Sequence, residues 1–131
     1  MADTDVKTPG SLHPALLAIL ELDSANDKNF VYCSVCSHVL TRRGAQIEMQ
    51  GSFDHQFSNP HGFRFHVGCF ANALGCDISG APQAADSWFM GYAWRLATCG
   101  GCHQHLGWYF TRGRDLHFFY GLILDRVQIE Q

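Results

Sequence analysis

Two pairs of thiols stand at the spacing of metal knuckles: Cys33-Ser34-Val35-Cys36 and Cys99-Gly100-Gly101-Cys102. Two residues between thiolates let a tight turn aim both sulfurs at one tetrahedral ion. Two such turns close a four-cysteine site with no open position, which is the pattern of a structural Zn²⁺ rather than a catalytic one. The 62 residues between the pairs make this a long-range clip from the start of the domain to its last third. Gly100 and Gly101 suit a knuckle that needs an unusual φ. Cys99 to His103 also reads CxxCH, the spacing of haem attachment, but that chemistry needs an exported chain and leaves the first pair unexplained. A redox dithiol at 99–102 would want a βαβ setting, and none surrounds it. Cys69 and Cys76 have no partner at knuckle spacing and read as buried or half-buried thiols.

The second constellation is aromatic. The three tryptophans are Trp88, Trp94 and Trp108. Trp88 and Trp94 are an even number of residues apart, so one extended segment would put them on the same side. Gly91 between them is a place for the chain to bend and the rings to converge. Trp108 and Phe110 share a face of the next strand. Such rings serve equally as core or as flat walls around a small ring-shaped ligand. Eight histidines invite a second metal. His103-Gln104-His105 would put two imidazoles on one face of a strand, with His61 and His66 elsewhere. No sustained His/Asp/Glu motif joins them, so they read as surface or satisfied histidines. No HExxH, GxSxG or P-loop pattern occurs.

The elements that must position these groups are short. From residue 30 onward, brief aromatic segments alternate with turn residues such as Asn59-Pro60, His61-Gly62, Gly100-Gly101 and Arg112-Gly113. The segments 62–65, 91–97, 106–110 and 118–124 suit strands. The reading is therefore a mostly antiparallel β domain over 30–131. A tail over 1–29 precedes it: polar to residue 10, then Leu12, Leu16, Ile19 and Leu20 at the spacing of a short helix over roughly 12–22. Charged residues are 16% and the formal net charge is −3, with no basic patch, which argues against nucleic acid. The apolar run at 16–20 is far too short for a membrane span, and residues 1–10 lack the apolar core of a signal peptide. Paired cysteines then fit a reducing, cytoplasmic compartment.

Taken together, CxxC at 33–36, Asn59-Pro60-His61-Gly62, SWFMGYAW at 87–94, CGGCHQHLGW at 99–108 and FFYGLILDRV at 118–127 resemble the thalidomide-binding (CULT) domain of the cereblon family. The resemblance covers about 30–127 and is nearest to the short bacterial single-domain members. It implies a β-tent, two antiparallel sheets meeting near a four-cysteine zinc site formed by Cys33, Cys36, Cys99 and Cys102. It implies a pocket walled by Trp88, Trp94 and Trp108, with Phe110 at its base and Asn59, Pro60 and Phe65 lining its opening. The backbone of Asp86-Ser87-Trp88 would hydrogen-bond the ligand. Family ligands are cyclic imides: glutarimide rings of thalidomide type, C-terminal cyclic imides of proteins, and uracil- or uridine-like rings.

The chain departs from the pattern at three places. Asp86 stands where the human member has His, which should disfavour anionic ligands. Met90 replaces a Pro, and Phe110 lacks the hydroxyl of Tyr-bearing relatives. The expectation is non-enzymatic binding of a small cyclic imide, with no nucleic acid, membrane or ubiquitin-ligase adaptor as partner. A zinc-stabilised protein-interaction module is the runner-up. A methionine sulfoxide reductase B reading needs a catalytic Cys on a late strand, and no Cys follows Cys102.

Overall fold

The computed structural model describes residues 29–129. The helix expected over 12–22, and with it the tail over 1–29 save its last residue, lies outside the described residues. Among the described residues there are nine strands and two short 3-10 turns, and no helix is long and apolar enough to cross a membrane. Strands β1 (Phe30–Cys33), β2 (Val39–Arg42) and β9 (Val127–Ile129) form a small antiparallel sheet in the order β2-β1-β9. The larger sheet is built from β3 (Asp54–Ser58), β4 (Arg64–Phe70), β5 (Cys76–Gln83), β6 (Ala93–Cys99), β7 (His105–Arg112) and β8 (His117–Ile123). Its order is β3-β4-β8-β7-β6-β5, with every neighbouring pair antiparallel. The mostly β reading therefore holds, with two antiparallel sheets.

The strand boundaries differ from the expected ones for a backbone reason. Gly62 and Gly91 each have φ of 87°, a left-handed conformation that ends extended pairing, so β4 and β6 start two residues later than the sequence suggests. Trp88 consequently sits in the loop before β6 and not in one extended segment with Trp94. The chain turns back at Gly91, where the Tyr92 N–H donates to the Phe89 carbonyl (3.0 Å).

Two apolar clusters hold the fold. One lies between the sheets and includes Val31 and Leu40 from the small sheet and Phe70, Leu106 and Leu122 from the large one, all fully buried. The other is aromatic: Phe89, Phe110 and Phe119, with Cys69 and Tyr92, carry the partly buried Trp88, Trp94 and Trp108 above them. Its rings pack edge to face or stacked at centroid separations of 5.0 Å for Phe89–Phe110, Phe89–Phe119 and Phe110–Phe119, the geometry that ring quadrupoles favour.

Candidate metal centre and aromatic cage

Each CxxC pair starts at the end of a strand and runs through the turn of a hairpin, and the two hairpins belong to different sheets. Cys33 ends β1 and the chain returns as β2; Cys99 ends β6 and returns as β7. The turns have the same hydrogen bonds. The Ser37 and His103 N–H groups donate to the Cys33 and Cys99 carbonyls (2.9 Å each). The Cys33 and Cys99 N–H groups donate to the His38 and Gln104 carbonyls (2.9 and 2.8 Å). The left-handed residue in each is the one after the second cysteine: Ser37 at φ 63° and His103 at φ 69°. This corrects the expectation for Gly100 and Gly101, whose φ values are ordinary. They are glycines because space is short. A Cβ on Gly100 would lie 2.8 Å from the Gly75 carbonyl oxygen, and one on Gly101 would lie 3.1 Å from Cys36 Sγ.

The four sulfurs come together from this arrangement. Cys33 and Cys102 Sγ are 3.7 Å apart, Cys36 and Cys99 Sγ are 3.6 Å apart, and all four lie within 4.8 Å of one another. A tetrahedral ion at about 2.3 Å from each sulfur would set neighbouring sulfurs roughly 3.8 Å apart, so the donor set fits a tetrahedral, thiophilic metal. Burial pushes the Cys99 thiol up to about 12, although the Cys102 and Gly101 amides favour its thiolate. At Cys33 burial acts in the same direction, but the amides of Cys36 and Val35 outweigh it and lower the value. Four thiolates this close need a divalent countercharge.

Elsewhere on the large sheet is a cavity of about 450 Å³. Register builds its back wall: Trp94 of β6 pairs with Phe110 of β7, and Leu96 with Trp108, so these four side chains share one face. Phe65 of β4 and Trp88 of the preceding loop close the side. Trp88 and Trp108 meet at 4.7 Å and 79°, an inside corner. The far face of Trp88 is covered by Phe57, stacked at 4.7 Å and 8°. Trp94 is the third indole of the lining. Phe110 is 1% exposed and forms the floor. Two indole N–H groups are already committed: Trp94 donates to the Ala85 carbonyl (2.8 Å) and Trp88 to the Ser58 carbonyl (3.2 Å). These bonds orient the rings and leave their faces as the surface offered to a guest.

Asn59, Pro60 and Asp86 also line the cavity, as expected. The Asn59 side-chain carbonyl accepts from the His61 and Phe63 amides (2.9 Å each), so it shapes the loop over the opening. Asp86 has φ of 58°, a conformation Asp tolerates better than most residues. Ser87 does not line this cavity. Its hydroxyl donates to the Phe89 carbonyl (3.1 Å), and it lines a neighbouring concavity with Met90, Gly91 and Tyr92.

The lining also holds three residues that sequence reasoning did not place there: His61, Leu96 and His105. Leu96 was legible, two residues from Trp94 on the same strand. His105 was not, because it lies an odd number of residues from Trp108. The β6–β7 register slips between Ala97 and Thr98, and that irregularity brings His105 round to the cage. His103, expected on the same strand face, is instead in the knuckle. The His105 Nε2–H donates to the Gly107 carbonyl (2.9 Å), which leaves Nδ1 without a proton. Burial, helped by Arg126, lowers its pKa against the pull of that carbonyl, so the ring is neutral at neutral pH. His105 stands edge-on to Trp108 at 5.0 Å.

Protein cereblon of Gallus gallus is 42% identical over 94 residues, which is 70% of this chain and 21% of that protein. Protein cereblon of Xenopus tropicalis is 37% identical over 75 residues, and that of Drosophila erecta 30% over 109 residues, or 79% of this chain. The chain belongs to the cereblon-like family. The cereblon-like domain spans about a fifth of the length of these relatives. No protein-family model matches it. The solved Mis18 'Yippee-like' domain superposes with a TM-score of 0.54 at 12% identity, covering 79% of this chain and 95% of that one, a likeness of fold alone.

Proposed function

We propose that this domain binds small cyclic imides in the three-tryptophan cage, with no chemical conversion, in a frame held by one structural Zn²⁺. The guests are glutarimide rings, C-terminal cyclic imides of proteins, and uracil-like rings. The observation that carries the proposal is the cage itself, three indoles lining one cavity, two of them in an inside corner, over an aromatic floor. Flat walls take the ring's methylene groups, while an unsubstituted imide edge presents acceptor, donor and acceptor to backbone groups of residues 86–88. Such reading does not depend on the side chains at 86 and 87. A ring of this size binds with about micromolar affinity.

The thiol chemistry supports a binding rather than a catalytic role. Cys69, a thiol outside the knuckles, is fully buried. Burial and the Asp54 charge push its pKa up to about 12, so it stays a thiol and a poor nucleophile. Reduced, metal-bound cysteines fit a cytoplasmic setting. The test is a titration of the zinc-loaded protein with a glutarimide drug and with its N-methyl analogue, followed by tryptophan fluorescence. Quenching by the parent compound alone supports the reading. Equal responses to both compounds, or none to either in folded protein, would remove it.

A further inference from the structure

We propose that the outer face of the small sheet is a docking surface for the chain's own segment 12–22, which lies over it as an amphipathic helix. The inference is independent of the imide reading, because β1, β2 and β9 contribute nothing to the lining of the cage.

The face is apolar where a solvated sheet would be polar. Val31 and Cys33 of β1 are fully buried in the cluster between the sheets. Strand alternation therefore turns Phe30 and Tyr32 the other way. Their rings meet edge to face at 6.2 Å. Register adds Val39, opposite Tyr32, and Arg42, opposite Phe30. Gln128 of β9, also opposite Tyr32, stands on this side and is exposed. Phe30, Tyr32 and Val39 are each half-buried. An antiparallel sheet with one face in water alternates apolar inward and polar outward. Two aromatic rings and a valine turned outward mark a face that packs against something.

The occupant follows from where the chain enters. β1 starts at Phe30, on this face, and residues 1–29 precede it. Leu12, Leu16, Ile19 and Leu20 fall at helical spacing and make one apolar stripe. A helix over 12–22 is about 16 Å long, which matches the roughly 13 Å of a four-residue strand. Residues 23–28 reach at most about 20 Å, against a width of about 10 Å for three strands, so the segment can turn back over the sheet.

Charge agrees with this placement. Glu21, Asp23 and Asp27 lie between the stripe and β1, against one lysine, Lys28. Arg42 shares the face with Phe30, and the Arg43 N–H donates to the Asn29 carbonyl (2.9 Å), so both arginines stand beside the point of entry. When the stripe covers the rings, the acidic link meets the basic edge of the sheet, and opposite charges at that range attract.

The test is amide hydrogen exchange on the full zinc-loaded chain, read by mass spectrometry. Exchange over 12–22 is expected to be about tenfold slower than the intrinsic rate, and to rise toward that rate in Tyr32→Ser and in the double variant Arg42→Glu, Arg43→Glu. Because Tyr32→Ser also loosens β1 itself, the charge variant carries a second arm. Adding Glu21→Lys and Asp23→Lys to it should restore the protection. Unprotected 12–22 in the wild-type chain, or protection indifferent to both sets of face variants, overturns the inference. A dimer seen by sedimentation that dissociates in the face variants would give the surface to a second copy and overturns it as well. Glutarimide quenching run in parallel bears on the imide reading alone.

Discussion

The two ends of the large sheet solve different problems. The metal end is assembled from two copies of one local device, a hairpin turn with the same hydrogen bonds and the same left-handed residue in each sheet. The cage end is assembled from β4, β6, β7 and the loop before β6, with Phe57 of β3 as backing. Short-range spacing therefore dictates the first, while strand register and ring packing dictate the second. The metal end can be correct in outline even if the rest of the fold is unknown. The cage has no existence until four separated segments are side by side.

The largest effect should come from breaking the metal end. Cys99→Ser, or removal of the metal by a strong chelator, is expected to cost more than about 3 kcal/mol and to abolish cooperative melting. Metal content and thermal denaturation measured together would show it. If metal-free protein still bound a glutarimide, the two ends would be independent, and the clip would have no bearing on the cage.

The next effect lies under the cage. Phe110→Ala removes a buried ring from a stack of three and should cost roughly 3–5 kcal/mol in urea unfolding. A loss below about 1 kcal/mol would mean that the floor is not a core element. Trp94→Ala separates recognition from support. Its indole is partly exposed and makes one hydrogen bond. Stability should fall by about 1 kcal/mol while ligand quenching disappears. Retained binding in that variant would assign the third wall to another residue.

The smallest effect is a pH slope. His105 has its pKa lowered below 6.5 by burial first and by Arg126 second. The unfolded chain then binds more protons than the folded one as pH falls through 6.5, so stability is present above that value and is lost toward the lower folded value. His105→Gln should flatten unfolding midpoints measured between about pH 7 and pH 5. An unchanged slope would mean that the imidazole is as solvated folded as unfolded.

Much of the metal end was legible in the residues. Paired cysteines with two residues between them admit few local geometries, and a tetrahedral ion needs all four, so Cys33, Cys36, Cys99 and Cys102 could be assigned together. The aromatic set was legible as residues but not as a shape. Period-two spacing put Trp108 and Phe110 on one face, and β7 keeps them there. The same rule does not apply to Trp88 and Trp94, because the chain bends at Gly91, the place the sequence offered for a bend.

Chain chemistry alone thus determined the mostly β class, the four sulfur ligands and which rings could form walls, since each follows from spacing or residue type within a few positions. Tertiary structure decided the rest. It placed His105 beside Trp108 through a one-residue slip against β6, turned Ser87 out of the cavity, and made Gly100 and Gly101 necessary through the approach of Gly75 and Cys36. Each of those depends on a segment distant in sequence, and a partner supplied by another strand leaves no mark at the position it constrains.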